Sequence, residues 1–147
     1  MRDVSSNYMT RHVFEKSVTI ARPRAEVFAF VADPTRFPLW NSAVTSVEPT
    51  AGSAYVMRRR LPIGEAENGL EVVESEPPAV FSVRTTYGPT PFRYRYSFTD
   101  ADGATIVTLA GDVELRGVFA LVPARAFLHG IEANLTTLRR LLERGPY

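Results

Sequence analysis

Ser17-Val-Thr-Ile-Ala-Arg-Pro-Arg-Ala-Glu-Val-Phe28, followed closely by Asp33-Pro-Thr-Arg-Phe-Pro-Leu-Trp-Asn41, is the stretch that decides the architecture. It opens on a strand: over Val13 to Ala21, Phe14, Val18 and Ile20 share one face at period two. Lys16 falls on that same face, so it must lie near a rim or the register must shift. Pro23 sits where a first helical turn tolerates proline, because the missing N–H would be unpaired there anyway. Val27, Phe28 and Val31 then form the apolar side of a short helix running to about Ala32. Asp33-Pro34 starts a second one, with Asp as cap and Pro in the first turn; it carries Phe37 and Trp40, and Pro38 keeps it brief.

Outward from this opening, Val44 to Leu115 reads as almost purely β. Strands are expected over Val44 to Val47, Tyr55 to Leu61, Ala66 to Glu74 and Val80 to Thr86. Breaks fall at Ala51-Gly52, at Pro62/Gly64 and at Pro77-Pro78, which cannot continue a ladder. Phe92 to Phe98 alternates Phe92, Tyr94, Tyr96 and Phe98 against Arg93, Arg95, Ser97 and Thr99. Asp100-Ala-Asp-Gly103 is a hairpin turn, and Thr105 to Leu115 completes the meander. The last segment, from about Pro123 to Glu143, is helical. Ala120, Ala124, Phe127, Leu128, Ile131, Leu135, Leu138 and Leu142 gather on one side of the wheel, and Arg125, His129, Glu132, Thr136, Arg140 and Glu143 on the other. Gly145-Pro146 stops it.

The 147 residues suit one domain, 1–147, with a frayed start over 1–11. With no cysteine, disulfides, thiolate metal sites and cysteine nucleophiles are excluded, and a reducing cytoplasm is the expected setting. A formal charge of +1, with both signs interspersed, argues against a nucleic-acid partner, for which Arg58-Arg59-Arg60 alone is too short a run. No segment approaches the roughly 20 apolar residues that span a bilayer, and Met1 to Arg11 lacks the apolar core of a signal peptide, so no stable membrane insertion is expected.

Strand, two short helices, a run of meander strands and one long amphipathic helix make an α+β order. Together with Val72-Val-Glu-Ser-Glu-Pro-Pro78 and the Asp102-Gly103 hairpin, it resembles the polyketide cyclase/dehydrase and lipid-transfer superfamily of START-like helix-grip domains. The resemblance covers about Val13 to Glu143. It implies a curved antiparallel sheet of about six to seven strands around the C-terminal helix, with a hydrophobic ligand cavity between them. A helix about 10–12 Å across is too narrow to cover such a sheet, so curvature is needed. Gly69 and Gly111 are plausible bends within strand patterns.

The wall expected of that cavity comprises Phe37, Trp40, Tyr55, Met57, Arg59, Asn68, Leu70, Tyr94, Tyr96, Phe98, Phe127 and Ile131. Each has a plainer alternative. The aromatic rings can be ordinary core, Trp40 can anchor its helix rather than lid a cavity, and Arg59 can lie on a solvated edge. On parity Arg59 shares the more apolar face, with Tyr55 and Met57; inside, it would need an acidic partner or an anionic ligand. Asn41 can orient a ligand or cap the helix end. Catalytic machinery is thin. His12 precedes the first strand, His129 lies on the polar side of the helix, and no metal-ligand spacing, nucleophile motif or phosphate loop is present. Neither a catalytic residue, a metal nor a cofactor is therefore expected.

Three functions stay open: binding or transport of a lipid, polyketide or aromatic metabolite; a polyketide cyclase/aromatase or dehydratase acting mainly by holding its substrate; and a protein-partner module. Oligomeric state is also open, with a homodimer among the options.

Overall fold

A computed structural model describes residues 9–61 and 64–145. Seven strands form one antiparallel sheet in the order β1-β7-β6-β5-β4-β3-β2. They are β1 (Met9–Ile20), β2 (Val44–Pro49), β3 (Ala54–Arg60), β4 (Glu65–Glu76), β5 (Val80–Tyr87), β6 (Phe92–Ala101) and β7 (Ala104–Arg116). Two short helices, α1 (Arg24–Val31) and α2 (Phe37–Trp40), follow β1, and the long α3 (Ala124–Arg144) closes the chain. This is the START-like helix-grip arrangement expected from the order of elements.

The strands agree with the alternating pattern to within a few residues, apart from β1. It begins at Met9, so Met9, Thr10 and Arg11 belong to the sheet rather than to a frayed start; residues 1–8 lie outside the described residues. Pro62 and Pro146, read as breaks, lie outside them too. Lys16 resolves its conflict at the rim: its stem follows the inner face and its ammonium reaches Glu132 Oε1 on α3 at 3.0 Å. Asp33 caps, accepting from the backbone N–H of Thr35 at 3.1 Å, but what it caps is a 3-10 turn, Pro34–Arg36, that precedes α2 rather than α2 itself. Ala120 departs from its assignment. It lies in a separate 3-10 turn, Gly117–Leu121, because Pro123 breaks the backbone before α3 begins.

Gly69 and Gly111 work differently. The β4–β5 register shifts between Gly69 and Leu70, as a bulge requires. At Gly111 the ladder is unbroken, opposite Phe14 on one side and Tyr94 on the other. A Cβ there would lie 2.3 Å from the Phe14 ring, so the glycine lets that ring lie flat across β7. Phe14 thereby meets Tyr94 and Phe127 edge-on, with centroids 6.0 and 5.6 Å away.

The core lies between the inner face of the sheet and the three helices, and it is uneven along α3. Leu135, Leu138 and Leu142 are buried, whereas the first helical turn, Ala124 to Ala126, is exposed. Arg22 fixes the buried end: its Nε and Nη2 donate to the carbonyls of Leu142 and Glu143 at 2.8 and 2.9 Å. These are carbonyls the helix cannot satisfy internally, and a cation suits the negative end of the helix dipole.

Gly111→Val should destabilise the fold by about 1–3 kcal/mol through overpacking against Phe14. Urea unfolding of the variant beside wild type measures this; an unchanged midpoint would show that the ring has free room.

Candidate functional site

The exposed start of α3 leaves a hollow between it and the sheet. β3 contributes Met57 and Arg59, and β6 contributes Phe92, Tyr94 and Tyr96. α2 and the residues after it contribute Phe37, Trp40 and Asn41 to Val44, while α3 contributes Phe127, Gly130, Ile131 and Asn134. The hollow measures about 220 Å³. Period-two alternation explains why every second residue of β3 and β6 arrives here. Around it, Trp40 meets Phe37 and Tyr96 edge-on, with centroids 5.7 and 6.2 Å away, and Tyr94 stacks on Phe92 at 4.5 Å.

Ser42 N–H donates to Asn134 Oδ1 at 3.3 Å, tying the segment after α2 to α3 at the edge of the cavity. Next to it, Gly130 is exposed, and a Cβ built there would meet nothing within 4 Å. The missing side chain leaves an opening where a helix would ordinarily present a residue.

Arg59 takes the inner face, as its parity suggests. Nε donates to Asn68 Oδ1 at 2.9 Å, and Nη2 donates to the Pro89 carbonyl at 2.7 Å and to Thr90 Oγ1. Its guanidinium carbon lies 5.8 Å from the Phe92 centroid. All these partners are neutral. Burial pushes the guanidinium below its usual pKa, a shift that the nearby Tyr94 opposes. Thr90 holds its place in a left-handed backbone, φ 53°, an outlier for a β-branched residue.

Burial also holds the Tyr94 and Tyr96 hydroxyls protonated far above the ordinary tyrosine range, with Arg59 drawing Tyr94 back in part. Neither hydroxyl hydrogen-bonds to another described residue. Trp40 Nε1 is sealed from solvent without a partner.

Eight of the twelve residues expected in the wall come together here: Phe37, Trp40, Met57, Arg59, Tyr94, Tyr96, Phe127 and Ile131. Tyr55, Asn68, Leu70 and Phe98 take the inner face but lie outside the wall. Leu70 and Phe98 are packed solid, Phe98 edge-on to Phe28, because they lie farther along their strands. Tyr55 packs against the same core. Asn68, fully buried, acts through Arg59 and donates to the carbonyls of Tyr87 and Pro89 at 3.1 and 2.9 Å. Asn41 lines the cavity and takes the C-cap position of α2 in an extended rather than a left-handed conformation, its Oδ1 accepting from Ala43 N–H at 3.0 Å.

His12 requires a correction. It lies within β1, stacks on Phe127 with centroids 5.2 Å apart, and has a buried, unpartnered Nε2. Ser42, Ala43, Val44, Gly130 and Asn134 join the wall beyond the residues the sequence points to; a glycine inside a helical pattern is the one available signal among them. Among the described residues, no cluster of three metal-ligating side chains forms, and no helix is long and apolar enough to cross a membrane.

The family model described as polyketide cyclase / dehydrase and lipid transport matches residues 11–143, and the chain belongs to that family. No curated protein sequence matches it. Among solved structures, it is similar to the Zhui aromatase/cyclase from Streptomyces sp. R1128, at 18% identity and TM-score 0.75, covering 92% of this chain and 95% of that one. A START superfamily protein from Mycobacterium smegmatis gives 18% and 0.71, with 90% and 95% covered. A protein from Deinococcus radiodurans gives 19% and 0.74, with 92% and 100% covered. At these identities the likeness concerns the fold.

The folded chain retains two phenolic protons that an unfolded chain releases near pH 10. Stability should therefore be full below about pH 10 and fall as pH rises above it. Denaturant unfolding across that range checks this, and Tyr94→Phe/Tyr96→Phe should show a shallower alkaline loss. An identical alkaline loss in wild type and the double variant would refute it.

Proposed function

We propose that the protein binds a small hydrophobic organic molecule in the cavity between β3, β6, α2 and α3. The observation that carries this reading is a hollow walled by Phe37, Trp40, Met57, Phe92 and Ile131, beside a gap in α3 at Gly130. Apolar walls with a few convergent polar groups are the usual make-up of a small-molecule site. Family membership supports the same reading, and the whole chain is taken as one ligand-binding domain acting in the cytoplasm.

One observation favours a second reading. Arg59 and the two tyrosine hydroxyls border the same space and could polarise a substrate carbonyl, and the fold is that of an aromatase/cyclase. A cyclase of this kind would act by holding a reactive chain in one conformation. Cyclisation of a short poly-β-ketone mimic, lost in Tyr94→Phe/Tyr96→Phe/Arg59→Ala, would support it; cyclisation that survives those changes would dismiss these residues.

For the binding reading, 2-methylnaphthalene serves as an uncharged probe. Trp40 is the sole tryptophan, so the indole N–H gives one NMR cross-peak at the cavity wall. The probe should shift that peak with a dissociation constant of roughly micromolar to tens of micromolar, within the efficiency limits of so small a ligand. Gly130→Phe, which fills open space, should weaken binding at least about tenfold while the thermal midpoint holds. A wild-type protein that neither shifts with the probe nor carries a co-purified small molecule in native mass spectrometry would overturn the reading.

A further inference from the structure

Among the described residues, Arg59 is the one cation bordering the cavity, and no carboxylate borders it. Its contacts with Asn68, Pro89 and Thr90 engage Nε and Nη2 with neutral oxygens, so none cancels the charge. A guanidinium carries five N–H donors, and no bond from Nη1 occurs among the described residues. The other unmatched groups point to the same chemistry. Tyr94 and Tyr96, also in the wall, carry O–H groups that bond no other described residue. The cavity wall therefore presents an excess of hydrogen-bond donors and one uncompensated positive charge.

The bland account makes Arg59 a clamp for the bend at residues 88–91. That explains Nε and Nη2. It does not explain a cation, since a neutral amide could hold the same carbonyls without the expense of desolvating a charge. What completes the site is an anion with oxygen acceptors. A phosphate group, with up to two charges, calls for more than one cation or a cradle of backbone N–H groups; a carboxylate carries the single charge that Arg59 matches, and Nη1 is the donor left to meet it. The surrounding rings set the remainder as flat and apolar. Size narrows it further: about 220 Å³ lies below the roughly 300–1,000 Å³ usual for ligand pockets. At interior packing density this holds on the order of a dozen non-hydrogen atoms.

We infer that the ligand is a small organic carboxylate of one or two rings, its carboxylate on Arg59 and its rings between Trp40, Phe92 and Ile131. This rests on the cavity being the binding site and adds the charge and size of what it takes. The proposal requires Arg59 to discriminate by charge, which a clamp would not do.

The test compares 2-naphthoate with its uncharged isostere 2-naphthamide, by calorimetry and by the Trp40 indole cross-peak. Wild-type protein should bind the carboxylate at least about tenfold more tightly, as expected of a charge-assisted contact out of water. In Arg59→Met the two should come within about twofold of each other, with the amide little changed; Arg59→Lys should keep part of the preference. Equal binding of both by wild type, or a preference that survives in Arg59→Met, overturns the charge assignment and leaves the cavity reading standing. Binding of neither, together with silence from 2-methylnaphthalene, overturns both. Should Arg59→Met fail to fold, the wild-type comparison and Arg59→Lys still decide the outcome.

Discussion

One helix has to cover seven strands. At about 4.8 Å between neighbours, a sheet of seven spans roughly 29 Å, against a helix about 10–12 Å wide. No choice of side chains on α3 closes that gap alone. The chain supplies α1 and α2 as a second cover, and these reach only part of the remaining face. Where the covers meet is fixed by Arg22, which ties the C-terminal carbonyls of α3 to the end of β1. With that end pinned, Leu135, Leu138 and Leu142 pack solidly, and the shortfall collects at the other end, beneath Phe127 and Ile131. The cavity follows from a width mismatch pinned at one end.

The sequence conveys faces better than positions. Alternation groups Tyr55, Met57 and Arg59 on one face of β3 and Tyr94, Tyr96 and Phe98 on one face of β6, and leaves open whether the β3 set turns inward or Arg59 lies on a solvated edge; in the structure both sets take the inner face. Parity says nothing of how far along a strand the covering helix lies, so Tyr55 and Phe98 were placed in a wall they do not reach. Ser42 and Ala43 sit in a short connection whose side chains carry no periodic signal, and their place depends on Asn134, 92 residues on from Ser42. His12 was misplaced for a related reason. Thr10, Arg11 and His12 lack apolar character, yet pairing with β7 carries β1 back to Met9 and brings the imidazole onto Phe127.

Arg59 shows how a sequence can pose a question that only geometry resolves. Its parity pointed inward, and an inward guanidinium needs compensation. The compensation found is neutral: an amide, a carbonyl and a hydroxyl, with the Phe92 ring nearby. Asn68, whose inward parity suggested a place in the wall, serves behind it instead. It orients Arg59 from below and ties it to the carbonyls of Tyr87 and Pro89. Two polar residues of β3 and β4 thus form one unit, with a charge at its tip.

The local departures from good structural practice fall close together. A buried polar group without a partner costs about 1–3 kcal/mol, and a left-handed β-branched residue costs a comparable amount. Trp40, a residue of the wall, keeps such a group in Nε1, packed away from the cavity, and His12 Nε2 is another, its ring stacked on Phe127. Thr90, in the left-handed region, bonds the guanidinium that borders the same space. Gly130, a poor helix former, sits in the wall of α3 where a side chain would fit freely. Away from this region, the other left-handed non-glycine residue, Asp102, lies in the β6–β7 hairpin, where Asp tolerates that geometry, and Leu135, Leu138 and Leu142 are buried. The convergence of the remaining departures on one hollow is what a sequence shows when local stability is subordinate to a site.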